Sequence, residues 1–392
     1  MNEERPGLFK IFLIFLKMGA TAFGGNVAMV AAIRREISIK RKWVSDEEIL
    51  DLMVVGNILP GPLATNVVFA CGKILNGAAG AFLALFAVTL PSFVLMCFLS
   101  WAYFRLGENT TLTSVMNGIL PCVAAIIASA GWELYKKNVK GWIQHVIVIG
   151  AGSALLVWKG FYVTLFIVSA AAIIGRFLLY KKREQKLQLP KESVKSIFIL
   201  PAVVIIIFAV LFFPPDFSLI FTKLRSIALT FGSMSVTLFG GGYVFIPAMK
   251  SVVVDKLSWL SAREFSEGIA LGQVTPGPIM ISSVFIGWKV AGLKGAAMAA
   301  VSLFIPPAVL MYVAQHFMNR LKNNDGVESV FKGVRPAVIG MIFASVWVVF
   351  ASGTISIPAV AIFAVALAVS VWKNPEPIFL IVASGIAGWL IW

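Results

Sequence analysis

The chain is written twice. Adding 216 to a residue number carries Phe23-Gly24-Gly25 onto Phe239-Gly240-Gly241, Trp43 onto Trp259, Ser45 onto Ser261 and Glu48 onto Glu264. It also carries Gly56 onto Gly272, Pro60-Gly61-Pro62 onto Pro276-Gly277-Pro278, Lys73 onto Lys289 and Pro91 onto Pro307. Apolar composition by itself would align only Leu, Val, Ala and Ile. One ungapped register of Gly, Pro, Trp, Glu and Lys over about 69 residues therefore means duplication. Further on, Gly118 and Pro121 meet Gly333 and Pro336 at an offset of 215. The repeats run over 1–180 and 197–392, and the polar stretch between them, KKREQKLQLPKESVKS at 181–196, reads as a basic cytoplasmic linker.

Both repeats are mostly apolar. Of 392 residues, 59% are hydrophobic and 13% charged, far from the balance of a water-soluble domain. Runs long enough to cross about 30 Å of hydrocarbon recur throughout. They predict an all-α polytopic membrane protein with about 10–13 membrane segments and no catalytic domain attached. In the first repeat the apolar elements fall at about 8–33, 51–75, 77–104, 112–135, 143–158 and 161–180. An extra element at 197–215 precedes 218–249, 268–292, 295–318, 331–352, 355–372 and 377–392. Seven elements then separate equivalent points. If all of them cross, the repeats have inverted topology, as in many secondary transporters.

Loop charge tests that topology. With the amino end inside, Lys136, Lys137, Lys140, the linker, Arg320, Lys322, Lys332, Arg335 and Lys373 all fall in the cytoplasm, as expected. Arg34, Arg35, Lys40, Arg41 and Lys42 do not, unless one of the first two elements is a re-entrant hairpin. Because the net charge of +15 resides in such short loops, nucleic acid is not an expected partner. Cys71, Cys97 and Cys122 show no CxxC spacing, and His145 and His316 stand far apart, so neither a metal nor a cofactor is expected. The first run, from Leu8, has no small-residue cleavage site and reads as a retained helix. A homodimer is left open.

Chemistry is to be sought where the helices break. Each repeat has a glycine break, Gly24-Gly25-Asn26 or Gly240-Gly241-Gly242, and a Pro-Gly-Pro break. Proline removes a donor and clashes with the preceding turn, and bilayers tolerate broken backbone only where protein or a water-filled cavity satisfies it. Broken helices at matching places in two repeats point to a transport site, because half-helix N-termini offer unpaired N–H groups to an anion. The flanking side chains are neutral: Asn26, Asn57, Thr65 and Asn66 in one repeat, Gln273, Thr275, Ser282 and Ser283 in the other. Acidic residues near the breaks are confined to Asp51 and Glu267, which disfavours cation transport and favours an oxyanion. A bland reading competes, since glycine pairs also let helices pack closely and prolines also kink them.

Charged candidates are fewer. Arg34, Arg35, Lys73 and Lys289 could attract the anion, or could set topology and snorkel to the interface. Ser45-Asp46-Glu47-Glu48 fits a helix capping box, which makes Glu48 and its match Glu264 structural; they are proton-coupling candidates only if that helix lines the pathway. A nucleophile with a partnered base is not visible, so an intramembrane enzyme is disfavoured. A passive channel would show only downhill flux.

The FGG motif followed by a basic loop and Trp43, then GNILPGPLATN in one repeat and GQVTPGP in the other, resembles the chromate ion transporter family in its long, two-domain form. The resemblance covers nearly the whole chain. It implies an inner-membrane secondary transporter that exports chromate on the proton-motive force, with sulfate as the similar oxyanion and two homologous domains of opposite orientation. The family's signature positions fall here on Phe23, Gly24, Gly25, Arg34, Arg35, Glu36, Trp43, Asn57, Pro60, Gly61 and Pro62, and on Gly240, Gly241, Gln273, Pro276, Gly277 and Pro278. The repeats differ where Gly242 replaces Asn26, Gln273 replaces Asn57 and Ser282 replaces Asn66. A sulfate or other oxyanion transporter with incidental chromate activity is the alternative.

Overall fold

The computed structural model describes residues 6–22, 25–106, 110–158, 161–179, 219–237, 242, 245–316, 325–373 and 375–392. The linker at 181–196, the extra element at 197–215, and Gly24, Gly240 and Gly241 lie outside them. The described chain is helical and carries no strand. In the first repeat the helices are α1 (Leu8–Thr21), α2 (Gly25–Ile33), α3 (Asp46–Ile58), α4 (Leu63–Leu106), α5 (Thr110–Asn138), α6 (Trp142–Val157) and α7 (Phe161–Leu178). In the second they are α8 (Leu219–Thr237), α9 (Phe245–Lys250), α10 (Ala262–Val274), α11 (Ser282–His316), α12 (Asp325–Phe350), α13 (Ile357–Lys373) and α14 (Pro377–Ile391). Four of them, α4, α5, α11 and α12, are long and apolar enough to cross a bilayer.

Two of those four are hairpins. In α4 the backbone leaves helical angles at Asn76 and Gly77, and Gly77 takes φ +58°, which glycine adopts without strain. The chain then doubles back so closely that a Cβ on Gly72 would come within 2.8 Å of Ala84 Cβ. Helix α11 does the same at Ala291 and Gly292, where a Cβ on Gly287 would lie 2.9 Å from Ala299 Cβ. At 1.5 Å per residue, the limb 63–75 is about 20 Å long and 78–106 about 43 Å, so the first stops short of a bilayer and the second crosses it. Helices α3 and α10, 13 residues each, are also about 20 Å long. The element expected at 51–75 is thus two half-length helices around the Pro-Gly-Pro break.

The hinges revise the register. Gly72, Gly77 and Gly80 correspond to Gly287, Gly292 and Gly295, an offset of 215. Beyond the Pro-Gly-Pro motif the repeats are therefore one residue out of the register read from sequence. Lys73 matches Trp288 rather than Lys289, and Pro91 matches Pro306 rather than Pro307.

The chain forms two compact units, and each draws on both repeats: 1–95, 180–242 and 276–328 make one, and 96–179, 243–275 and 329–392 the other. In the first unit α1 lies against the long limb of α4, where a Cβ on Gly19 would meet Val88 Cα at 2.9 Å. Its counterpart α8 lies against α11, with the Ser235 hydroxyl donating to Ser302 O at 3.3 Å. Ile11, Phe15, Met18, Val55, Val67, Val68 and Met311 fill the core of this unit. In the second unit small residues four apart set helices in backbone contact. Gly118 of α5 meets Gly388 of α14, at 2.7 Å from an added Cβ to Gly388 Cα, and Gly333 of α12 meets Gly175 of α7 at 2.8 Å. Each repeat's helix thus closes on the last helix of the other.

Candidate functional site

The two Pro-Gly-Pro loops are held by reciprocal contacts inside the first unit. Gly61 has φ +91° and Gly277 φ +106°, the positive φ that glycine supplies at a tight reversal. A Cβ on Gly61 would lie 2.7 Å from Pro307 Cγ and 3.5 Å from Ser235 O. A Cβ on Gly277 would lie 3.0 Å from Ser92 Oγ and 3.8 Å from Gly19 O. Position 235 is 19 plus 216, and 307 is 92 plus 215, so each loop sits on the same part of the other repeat. The Gly277 N–H also donates to Ala22 O at 2.9 Å.

Each loop leads into a buried helix start. Pro60, Gly61 and Pro62 are buried ahead of Leu63, where α4 begins. The Thr65 hydroxyl donates to Pro62 O at 3.0 Å and Asn66 Nδ2 to Pro60 O at 3.2 Å. The acceptor at Pro60 fixes the amide orientation. Asn66 Oδ1 is buried without a partner. In the second repeat Pro276, Gly277 and Pro278 precede a 3-10 turn (Ile279–Ile281) and α11. Ser282 and Ser283 are buried there, and Ser283 Oγ has no partner. The first N–H groups of a helix lack intrahelical acceptors, so both loops present donors in apolar surroundings.

Other candidates lie on other elements. Gln273 and Thr275 belong to the second unit, at the end of α10. Thr275 Oγ1 donates to Gly272 O at 2.9 Å, and Gln273 Nε2 is buried without a partner. Asn57 lies in the last turn of α3, Gly25 and Asn26 at the start of α2, and Gly242 is buried. Lys73 is part-buried, donating to Tyr312 O at 3.0 Å with its ammonium 3.8 Å from that ring's centroid. Lys289 is exposed.

The basic loop is duplicated too. π-helical turns, Arg34–Lys40 and Ser251–Lys256, extend α2 and α9. Lys42 and Ser258 then take φ +51° and +52°, and the Trp43 and Trp259 N–H groups donate to Ile37 O and Val253 O. Arg34 reaches Asp46 with two bonds, Nη2 to Oδ2 at 2.6 Å. Lys40 and Arg41 reach Glu36 at 2.7 and 3.2 Å. The hydrogen bond from Arg34 holds the Asp46 carboxyl below its usual range, and that from Lys40 does the same for Glu36. Arg35 is exposed. Glu48 and Glu264 close capping boxes, accepting from the Ser45 and Ser261 N–H groups at 3.0 and 2.8 Å.

The matched features cover both repeats, and so does a match to known proteins: the chromate transporter family fits residues 9–176 and 225–389. The chain belongs to that family. It is 31% identical over 387 residues to a probable chromate transport protein of Synechococcus elongatus, covering 96% of this chain and 94% of that one. To an uncharacterised transporter of Methanocaldococcus jannaschii it is 30% identical, covering 100% and 96%. A chromate transport protein of Cupriavidus metallidurans is 28% identical, with 95% and 90% covered. No solved structure matches the chain.

Sequence reasoning missed one residue. Glu267 of α10, expected near a break but not deep, is 4% exposed. Its carboxylate accepts from Arg263 Nε at 3.0 Å and from the Tyr103 hydroxyl. Its spacing of four from Arg263 was the available signal.

Proposed function

We propose that this protein exports chromate across the cytoplasmic membrane as a secondary transporter driven by the proton-motive force. The observation that carries the reading is the pair of Pro-Gly-Pro loops, seated reciprocally and each opening a buried helix start that carries neutral polar side chains. Such N-termini stabilise a divalent tetrahedral oxyanion by backbone N–H groups and the helix dipole. Chromate and sulfate share charge and shape, so neutral donors do not separate them; chromate is taken from the family and from the named relatives. Sulfate is the second reading.

The proposed substrate residues are Gly24, Gly25, Asn26, Asn57, Pro60, Gly61, Pro62, Thr65, Asn66, Gly240, Gly241, Gly242, Pro276, Gly277, Pro278 and Ser282 of the first unit, and Gln273 and Thr275 of the second. The reciprocal packing relates the repeats by a pseudo-twofold axis, and the odd number of apolar elements between equivalent points supports placing that axis in the membrane plane, which inverts the repeats. The experiment is chromate uptake into inverted vesicles, or into proteoliposomes of the purified protein, under an imposed proton gradient. Asn57→Ala and Gln273→Ala are expected to reduce uptake with membrane abundance unchanged. Wild-type vesicles that accumulate no chromate refute the function, and two unimpaired variants refute the site. Sulfate that is accumulated while chromate is not selects the second reading.

A further inference from the structure

Among the described residues Glu267 is the one Asp, Glu, Lys or Arg side chain buried below a tenth of its surface. A charge so placed among apolar helices is costly unless paired, and its retention in a membrane protein points to function. Its two partners differ in kind. Tyr103 is anchored in the long limb of α4 and donates to Oε2. Arg263 donates to Oε1, but its side chain is 44% exposed, so it can leave for water. The first repeat does not reproduce the group: Asp51 stands for Glu267 and Glu47 for Arg263. A capping or packing device would be expected in both repeats, as the capping boxes and hinge glycines are.

We propose that Glu267 is the proton-carrying site of transport, positioned by Tyr103 and Arg263. This rests on the proton-driven reading above. In the step, Glu267 Oε1 takes a proton from hydronium, forming one O–H bond as hydronium gives up another and becomes water. The new acid no longer attracts the guanidinium, and Arg263 is released toward solvent. Deprotonation to water on the other side restores the pair. Proton occupancy is thereby tied to whether Arg263 closes its pair with Glu267 along α10.

Among the described residues few other charges bear on the carboxylate. Helix α10 packs against α5, α14 and α9. Helix α14 has no charged residue, and α5 carries Glu133, Lys136 and Lys137 only toward its C-terminal end. Lys250 at the end of α9 faces Asp255 at 3.8 Å. Helix α4 adds Arg105 beyond Tyr103, and α10 itself adds Glu264, which is held in its cap.

The test measures chromate-dependent proton flux and chromate counterflow in the same proteoliposomes. Glu267→Gln is expected to keep counterflow and lose chromate-dependent proton flux, and Glu267→Asp to retain both. Proton flux at the wild-type level in Glu267→Gln overturns the proposal. Wild-type protein that transports chromate without moving protons overturns the proton-driven reading itself, a distinct outcome. If Glu267→Gln does not reach the membrane, Tyr103→Phe decides. It removes a donor to the charged carboxylate, so the pH midpoint of proton flux moves upward, and an unmoved midpoint overturns the proposal.

Discussion

Replacing glycine by alanine at Gly77, Gly277 and Gly61 separates backbone strain from steric conflict. All three have positive φ, +58°, +106° and +91°, and alanine in such a conformation costs about 1–2 kcal/mol. At Gly77 nothing lies within 4 Å of the added Cβ, so strain is the whole effect. At Gly277 the methyl meets Ser92 Oγ at 3.0 Å and Cβ at 3.3 Å. The hydroxyl, which donates to Thr89 O at 3.0 Å, can rotate away for about 1 kcal/mol, the worth of one hydrogen bond. At Gly61 the methyl meets the Pro307 ring, Cγ at 2.7 Å, in the body of α11. A proline ring cannot rotate aside, so two backbones must separate, and overpacking of that kind adds about 1–3 kcal/mol. The expected losses are thus about 1–2 kcal/mol for Gly77→Ala, about 2–3 for Gly277→Ala and about 2–5 for Gly61→Ala. Unfolding of the purified proteins in mixed micelles, titrated with SDS and followed by circular dichroism, gives the three values. If Gly61→Ala is no worse than Gly77→Ala, the close seating of the loop on Pro307 is refuted.

Valine at Gly118 or Gly333 should each lower the unfolding midpoint by comparable amounts, because each forces a backbone contact with Gly388 or Gly175 apart; a large effect at one alone would refute the matched packing. Asp46 and Glu36 have carboxyls lowered in the fold, so their contribution is present above the unfolded values near about pH 4 and is lost as pH falls through the lower folded ones. A spin label on Ile39→Cys should accordingly be immobile from pH 6 to 8 and mobilised in acid; loosening at neutral pH refutes it. Cysteines at Ile39 and Asp255, equivalent at offset 216, should react with impermeant reagents from opposite sides of the membrane. The native Cys71, Cys97 and Cys122 are buried and give little background. Labelling of both from one side refutes inversion.

Local features of the fold were legible in the sequence. The gaps at 75–77 and 292–295 mark the hinge glycines, and the Ser45 and Ser261 boxes cap the helices they were expected to cap. Local chemistry decides both: glycine at a reversal, and a serine three residues before a glutamate. Packing between repeats was not legible, because it depends on residues about 200 apart that share no pattern until the chain folds. Ser114 with Gly118 and Ser384 with Gly388 form small pairs four apart, the one hint that these helices meet. The one-residue slip was hidden because Lys73 and Lys289, and Pro91 beside Pro306-Pro307, happen to align at the wrong offset. Glu267 was hidden because hydropathy reports a carboxylate's cost and not whether Tyr103 and Arg263 meet it.

The two copies share backbone features more fully than they share polar side chains. Reversals, caps, π-helical turns and the seats of both Pro-Gly-Pro loops recur at equivalent positions, while Gln273 stands for Asn57, and Glu267 and Arg263 stand for Asp51 and Glu47. A site built mainly from helix-start N–H groups survives such divergence, since those donors depend on where the helix begins and not on the residue. The polar side chains are then free to specialise. Gln273 presents an unpaired donor and Asn66 an unpaired acceptor, so the first suits an anion and the second a group that carries hydrogen. On the proposed reading, the duplication supplies the anion-binding backbone twice and leaves the proton-linked chemistry to one repeat. For this reason Glu267→Gln should uncouple transport, whereas Asp51→Asn should leave proton coupling intact; equal uncoupling by both would return the proton to a symmetric role.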